Sequence, residues 1–456
     1  MKRTLRDFTS LCGGRYDGAD LSYTGVATDT RTLAPGEIYL ALRGPRFDGN
    51  DFLGAAASAG AVAAVVDRPV AGAPLPLIQV DDGQIALTRA ARSWRERYAG
   101  AVVGVAGSNG KTTVKEMIAA ILERTGTTLA TRGNLNNHIG VPLTLLRLDD
   151  SQRCAVIEIG TNHPGEVAQL VALARPTVGL ITNAGAEHLE GFGDLDGVAH
   201  EEGQMVAGLA AGATAIINAD DPYASLWRSM THADVRTFGI DRMADFHAVD
   251  VSWELTDDGF RTSFTLQSPQ GSRAMRLNMG GRHNLRNALA AAAAATAAGA
   301  SLDHVVAGLA AAQPVKGRLV PCRTKQGARL IDDSYNANPS SMTAGIDVLT
   351  QLPGEAWLVM GDMGELGDSA QASHVDIGIY ARERGVRRLF ATGPLSTLSV
   401  EAFGSGASWH ADTEALAQAV DAALSPQVTV LVKGSRSNRL ERVVAHLTGA
   451  TAKEMH

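Results

Sequence analysis

A chain of 456 residues is too long for one compact domain, so roughly two to four are expected. An apolar fraction of 45% is that of a globular protein, and a net charge of −7 leaves no broad basic surface for nucleic acid. Three scattered cysteines (Cys12, Cys154 and Cys322) form no metal-ligand spacing and suit a reducing compartment. The first residues lack a secretory signal's apolar core, and the alanine-rich run 288–300 is too short and weakly hydrophobic to cross a bilayer, so a cytoplasmic protein without membrane insertion is expected.

Residues 1–97 read as a first α/β unit without a phosphate-binding loop. Pro35-Gly36 marks a turn, and Ile38 to Leu42 reads as a buried strand. Asp48 to Phe52 is a cap ahead of an alanine-rich helix over 53–59, and Ala61 to Val66 is a second strand. Asp29, Arg31 and Arg43 are charges around turns; whether they are merely solvated or hold a ligand is open from the residues alone.

Residues 98–312 form a second unit, organised around Gly104-Val105-Ala106-Gly107-Ser108-Asn109-Gly110-Lys111-Thr112-Thr113. An apolar strand precedes this stretch and a helical pattern from Val114 to Leu122 follows it, which is the layout of a phosphate loop. Glycines let backbone N–H groups approach phosphates, and the helix N-terminus adds positive potential. Lys111 would reach the outer phosphates and the Thr112 hydroxyl would join a Mg²⁺ shell. The strict pattern wants glycine at 105, where Val105 stands, so the loop is Gly107-x-x-Gly110-Lys111-Thr112-Thr113. Strands are expected over 154–159, 178–182 and 213–217, giving a parallel doubly wound sheet with Glu158, Asn183 and Asn218 at carboxyl ends, where ligands bind. The alternation from Asp245 to Met279 predicts antiparallel strands at one edge. Gly280 to Asn287 then leads into a long alanine helix, and Gln313 to Leu319 reads as a connector.

Residues 313–456 read as a third, Rossmann-like α/β unit. Leu330-Ile331, Trp357 to Met360 and Val428 to Val432 are strands, each followed by a polar turn. The turns are Asp332 to Pro339, Gly361 to Gly367 and Lys433 to Ser437. Three such turns from one small sheet would converge on one rim.

With these residues laid out, the chain resembles the Mur ligases, ATP-dependent amide-forming enzymes of peptidoglycan synthesis, from about residue 20 to 445. The resemblance rests on the phosphate loop, on Gly133-Asn134-Leu135-Asn136-Asn137-His138 and on Glu187-His188-Leu189-Glu190-Gly191-Phe192-Gly193. It also rests on Asp333-Ser334-Tyr335-Asn336-Ala337-Asn338-Pro339, Gly361-Asp362-Met363-Gly364-Glu365-Leu366-Gly367 and Lys433-Gly434-Ser435-Arg436. The third-domain runs are similar to those of the members that add D-alanyl-D-alanine, and the Asp-Asn-Pro-Arg signature of diamino-acid ligases is absent.

The resemblance implies a monomer that joins D-alanyl-D-alanine to UDP-N-acetylmuramoyl-tripeptide. ATP would activate the peptide carboxylate as an acyl phosphate, which the amine then attacks. It implies Thr112 and Glu158 on one Mg²⁺, and His188 helping to hold a second. It places Asn284 and Asn287 near adenine, Arg318 at the phosphates and Asp333 at the ribose. The first domain, through Asp29, Thr30 and Arg31 and the segment from Gly44 to Phe52, would anchor the UDP moiety. Asn134, Asn137, Asn336, Asn338 and Arg436 would face the peptide or dipeptide. One departure stands out: relatives carry a lysine, carbamylated by CO₂, where Glu202 stands, so Glu202 is expected to supply that carboxylate itself. Asn50 is a milder departure, at a position where relatives often have histidine. Two alternatives stay open: a Mur-type ligase for another amino acid, and a nucleotide-binding regulatory protein that kept the fold and lost catalysis.

Overall fold

The computed structural model describes residues 3–256 and 259–450; the end of the third unit, 451–456, and Asp257 and Asp258 in the alternating stretch lie outside the described residues. Four short parallel strands make the first sheet, in the order Val26–Ala27, Ile38–Leu40, Ala63–Val66, Leu77–Gln79. The strand expected to reach Leu42 stops at Leu40, because the chain turns there into the small hairpin Arg43–Gly44 with Phe47–Asp48. A 3₁₀ turn, Gly49–Phe52, capped by the Asp48 side chain, precedes the helix Leu53–Ser58.

Two helices seat this sheet. Leu5–Cys12 starts on the Thr4 side chain and ends at Gly13 in the left-handed region (φ 72°), and Gly83–Arg95 starts on Asp82. The second helix joins the first unit to the next. Trp94 is fully buried and donates from Nε1 to the Leu148 carbonyl at 2.8 Å. The buried Arg95 guanidinium donates to the carbonyls of Tyr98, Ala174 and Arg175, so this cation is held by main-chain carbonyls. Phe8, Leu87, Trp94, Leu145 and Val171 belong to one continuous core.

The central sheet has nine strands in the order Gly271–Leu277, Gly259–Ser268, Phe246–Thr256, Asp234–Gly239, Thr214–Asn218, Val178–Ile181, Ala101–Ala106, Cys154–Glu158, Thr128–Ala130. From Asp234–Gly239 onward the neighbours run parallel. The first three strands are antiparallel, as the alternation from Asp245 predicts, with Phe260, Thr262, Phe264 and Leu266 turned inward. Over this sheet lies the helix Arg282–Ala297, whose alanines are almost entirely buried against Lys111–Leu122 and the strands. Short side chains let the two helices approach closely.

The third sheet has six strands, in the order Val320–Arg323, Arg329–Asp333, Val428–Lys433, Glu355–Met360, Arg388–Thr392, Ala407–His410. The three strands expected from sequence are its adjacent middle ones, and their carboxyl ends lie on one rim. The two edge strands Val320–Arg323 and Ala407–His410, and Arg388–Thr392 inside the latter, went unrecognised in the sequence. Asp332, Asp333 and Lys433 prove to be the last strand residues rather than turn residues. Residues 313–319 join the second and third units without helix or strand.

Candidate active site

The phosphate loop links Ala101–Ala106 to the helix Lys111–Leu122, and two glycines shape it. Gly107 has φ 114°, and a Cβ there would lie 2.7 Å from the Thr182 backbone nitrogen. Gly110 has φ 87°, and its Cβ would strike Asn287 Oδ1 at 2.6 Å. Valine is tolerated at 105 because that residue is still inside the sheet, fully buried and paired with Leu180 and Glu158. Asn183 braces the loop from the neighbouring strand end, accepting from Asn109 N (3.1 Å) and donating to Asn109 O (2.9 Å). Asn218, at the next strand end, donates to Thr182 O and is spent on structure.

Lys111 Nζ folds back over the loop, donating to Gly107 O (2.5 Å), Ser108 O (3.1 Å) and Glu187 Oε1 (3.3 Å). Burial alone would lower its pKa, but the charges of Glu187, Glu202 and Glu158 outweigh burial and hold it above the ordinary lysine value. Glu187 was not singled out in the sequence; it is the ammonium's carboxylate partner. Thr113 is buried at the third residue of the helix.

Glu158 ends the strand beside the loop and is buried. Its Oε1 accepts from Thr112 Oγ1 (3.3 Å) and Asn136 Nδ2 (2.9 Å), while Oε2 is buried without a hydrogen bond, 3.9 Å from the buried Lys115 ammonium. A carboxylate oxygen that accepts no hydrogen bond, beside a hydroxyl, fits a hard divalent cation such as Mg²⁺, which takes one or two protein carboxylates plus phosphate and water oxygens. Among the described residues no group of three or more His, Cys, Asp or Glu is placed to hold a metal. Thr112 and Glu158 are side chains whose oxygens fit such a site. Of the asparagine run, Asn136 is the one that reaches Glu158, a residue the sequence reading passed over. Asn137 instead accepts from Ile139 N (3.1 Å) and Gly140 N (2.9 Å) at the start of the helix Gly140–Leu145, and Asn134 lines the same cleft.

Glu202 lies neither on the surface nor in the cleft. It is 1% exposed, on the helix Leu195–Ala207, and its Oε2 accepts from Gly107 N at 2.6 Å. Its carboxylate thus supports the loop from beneath. Burial raises its pKa to about 7, against the lowering pull of Lys111.

The third unit closes the cleft. Asn338 caps the helix Pro339–Leu349 and also donates to Asn109 Oδ1 (2.9 Å), while Asn109 Nδ2 donates to Ser340 Oγ (3.1 Å). That helix N-terminus therefore abuts the phosphate loop. His188, with φ 51°, pairs through Nδ1 with Glu365 Oε2 at 2.7 Å. The Glu365 hydrogen bond holds His188 above the ordinary histidine pKa and Glu365 below the ordinary glutamate value. Between the two units lies a cleft of about 440 Å³, lined by the loop, Glu158, His188, Arg318, Asn336, Asn338 and Arg436. Tyr335 forms part of its wall, with the Arg318 guanidinium 4.4 Å and that of Arg436 5.8 Å from its ring centroid.

A second cleft of about 280 Å³ adjoins it, lined by Gly110, Thr113, Asn284, Asn287, Arg318 and Asp333. Asn287 Nδ2 donates to Asn284 Oδ1 (3.2 Å). Asp333 is already engaged: Oδ2 meets Lys433 Nζ at 2.7 Å and Oδ1 accepts from Leu319 N. Asp29, Thr30 and Arg31 line neither cleft. They sit on an exposed turn of the first unit, where Arg31 and Asp29 pair with each other at 2.6 Å. Asn50 is buried nearby, donating to Asp48 and Asp67 while its own Oδ1 has no partner.

Three α/β units, with a phosphate loop at the meeting of the second and third, define a three-domain P-loop architecture. Models of the Mur ligase family, catalytic domain (residues 22–95), the Mur ligase middle domain (105–295) and the Mur ligase glutamate ligase domain (317–436) match the chain in turn. The chain is 45% identical, over 97% of its length and 98% of the other, to the UDP-N-acetylmuramoyl-tripeptide–D-alanyl-D-alanine ligase of Escherichia coli. It is 39% identical to that of Haemophilus influenzae, over 92% and 93% of the two chains. MurF from Acinetobacter baumannii superposes with a TM-score of 0.89 at 34% identity, over 98% and 99% of the two chains. MurF ligase from Thermotoga maritima in complex with ADP gives 0.81 at 26% identity, over 94% and 98%. The chain belongs to the Mur ligase family.

Proposed function

We propose that this protein is an ATP-dependent amide ligase that joins D-alanyl-D-alanine to UDP-N-acetylmuramoyl-tripeptide. The carrying observation is the full-length identity to the E. coli ligase of that name. In such a ligase the γ-phosphoryl group of ATP passes to the peptide carboxylate, and the dipeptide amine displaces phosphate from the acyl phosphate. Positioning and charge neutralisation are what this chemistry asks of the protein.

Each side chain has a part to match. Gly107, Ser108, Asn109, Gly110, Lys111, Thr112 and Thr113 cradle the phosphates, and Lys111 exchanges Glu187 for a phosphate oxygen. Thr112 and Glu158 hold Mg²⁺, which when bound neutralises phosphate charge. Asn284 and Asn287 flank the adenine, and Asp333 takes the ribose. Arg318 lines both clefts and so spans from nucleotide to peptide. Asn134, Asn137, Asn336, Asn338 and Arg436 face the peptide and dipeptide. His188 lines the cleft next to Glu187 on the loop's side, and Glu202 fixes Gly107 so that the loop keeps its curvature. Asp29, Thr30 and Arg31 hold the UDP moiety at the first domain.

The division into 1–97 for the UDP substrate, 98–312 for ATP and 313–456 for D-alanyl-D-alanine is part of this reading, as are a monomer and a cytoplasmic location. Among the described residues no helix is long and apolar enough to cross a membrane. Phosphate release measured with UDP-N-acetylmuramoyl-tripeptide, ATP and Mg²⁺ tests the reading. It is expected with D-alanyl-D-alanine and not with L-alanine, D-glutamate or diaminopimelate; preference for any of those three would overturn it.

A further inference from the structure

The run Gly361 to Gly367 stands out in the sequence, yet the ligase reading leaves it without a task. In the structure it is a braced finger. The Asp362 carboxylate accepts from Leu395 N (3.2 Å), Ser396 N (2.7 Å) and Ser396 Oγ (2.7 Å). Asn438 bonds both backbone groups of Asp362. Met363 N donates to the buried His374 ring at 3.0 Å, and Gly364 N donates to Ser435 Oγ at 2.7 Å. All of these bonds lie within the third domain and fix the backbone. The side chain they present, Glu365, finds its ion-pair partner in the central domain, at His188.

Both residues of the pair occupy the left-handed region, His188 at φ 51° and Glu365 at φ 63°. That conformation is costly for a residue with a Cβ, and it persists where the surroundings over-determine it. Two strained tips, one from each domain, meet carboxylate to imidazole at 2.7 Å. Beside them Glu190 and Gly367 pack together, a Cβ at Gly367 lying 3.5 Å from the Glu190 backbone nitrogen. On the central side, His188 follows Glu187, which pairs with Lys111. A short physical path therefore runs from the phosphate-loop lysine through Glu187 and His188 to the third domain.

We propose that Glu365 is a positioning residue for His188, and that their contact is the clasp that registers docking of the third domain on the phosphate loop. Glu365 takes Nδ1, so the imidazole has only Nε2 to offer the cleft that it lines. The ring is thereby aimed by a group that the third domain supplies. The clasp rests on the ligase reading for its consequence in turnover, but not for its effect on shape.

Three variants test it: Glu365→Asn, which tolerates the left-handed backbone but cannot reach; Glu365→Gln, which keeps the reach; and His188→Asn. Small-angle scattering with a non-hydrolysable ATP analogue and Mg²⁺ reads closure without turnover, so it stays decisive even if the ligase reading fails. Glu365→Asn is expected to lose the nucleotide-induced compaction and about tenfold or more in kcat, while KM for the UDP substrate holds. Glu365→Gln is expected to recover compaction and most of kcat. The double variant Glu365→Asn/His188→Asn should be no slower than its slower parent. The clasp is overturned if Glu365→Asn compacts and turns over within about twofold of the parent protein, as an incidental exposed ion pair would. It is equally overturned if the two single losses multiply in the double variant.

Discussion

The phosphate loop and the rim of the third domain face each other across one cleft but are built in opposite ways. The loop is ten consecutive residues whose shape follows from two glycines, a strand before and a helix after. The rim comes from three segments up to about a hundred residues apart, aligned because Arg329–Asp333, Val428–Lys433 and Glu355–Met360 are parallel neighbours in register. Its central fastening is the buried pair Lys433–Asp333, with Lys433 Nζ also donating to Asn336 O at 2.9 Å. A lysine serves on each side: Lys111 is exchangeable, held by carbonyls and one carboxylate, whereas Lys433 is locked. Charge used for chemistry is left with partners that can be traded; charge used for architecture is paired and buried.

Lys111→Ala gives the largest expected effect, a loss in phosphate release on the order of 10³-fold with the fold intact by circular dichroism. Ligation at the parent rate would remove the loop from the site. On the other face, Asp333→Asn leaves Lys433 buried without its carboxylate, and urea denaturation should show the protein less stable by about 3–5 kcal/mol. A change near zero would mean that Lys433 is not locked.

Glu202 tests the support beneath the loop. Its folded pKa of about 7 exceeds the ordinary 4.5, so the native state holds more protons between those values. Its contribution to stability is therefore greatest below pH 4.5, falls as pH rises through the window, and stays at its lowest above pH 7. Glu202→Gln lacks that slope, and its stability relative to the parent should rise by up to about 3 kcal/mol from about pH 4.5 to about pH 8. Since a carboxylate is already present, phosphate release in CO₂-depleted buffer is expected to match that with added bicarbonate; a large bicarbonate rescue would refute this. The smallest effect belongs to Asn338→Ala, which removes a helix cap and the bond to Asn109 and should cost about 1 kcal/mol in thermal unfolding.

Much of the fold was legible because its signals are local. Val102 to Ala106 and Val178 to Ile181 are continuous apolar runs, as buried parallel strands require, and Phe260 to Leu266 alternates as a strand with one wet face does. Arg388–Thr392 escaped notice because a short apolar run beside a helix has no period of its own. In the site, Lys111, Thr112 and Glu158 were readable from motif and strand end. Asn136 could not be told from Asn134 and Asn137, since only the turn decides which amide reaches Glu158.

The sequence by itself determined three α/β units, a phosphate loop and the set of polar turns from which the cleft is made, because strand periodicity, glycine placement and strand ends are properties of neighbouring residues. Tertiary structure alone decided that Glu202 sits under Gly107, that Glu187 holds Lys111, that Asp333 is taken by Lys433 and that Glu365 meets His188. These pairs span 95, 76, 100 and 177 residues of chain, and contacts at such separations follow from sheet order and domain docking, which no local pattern encodes.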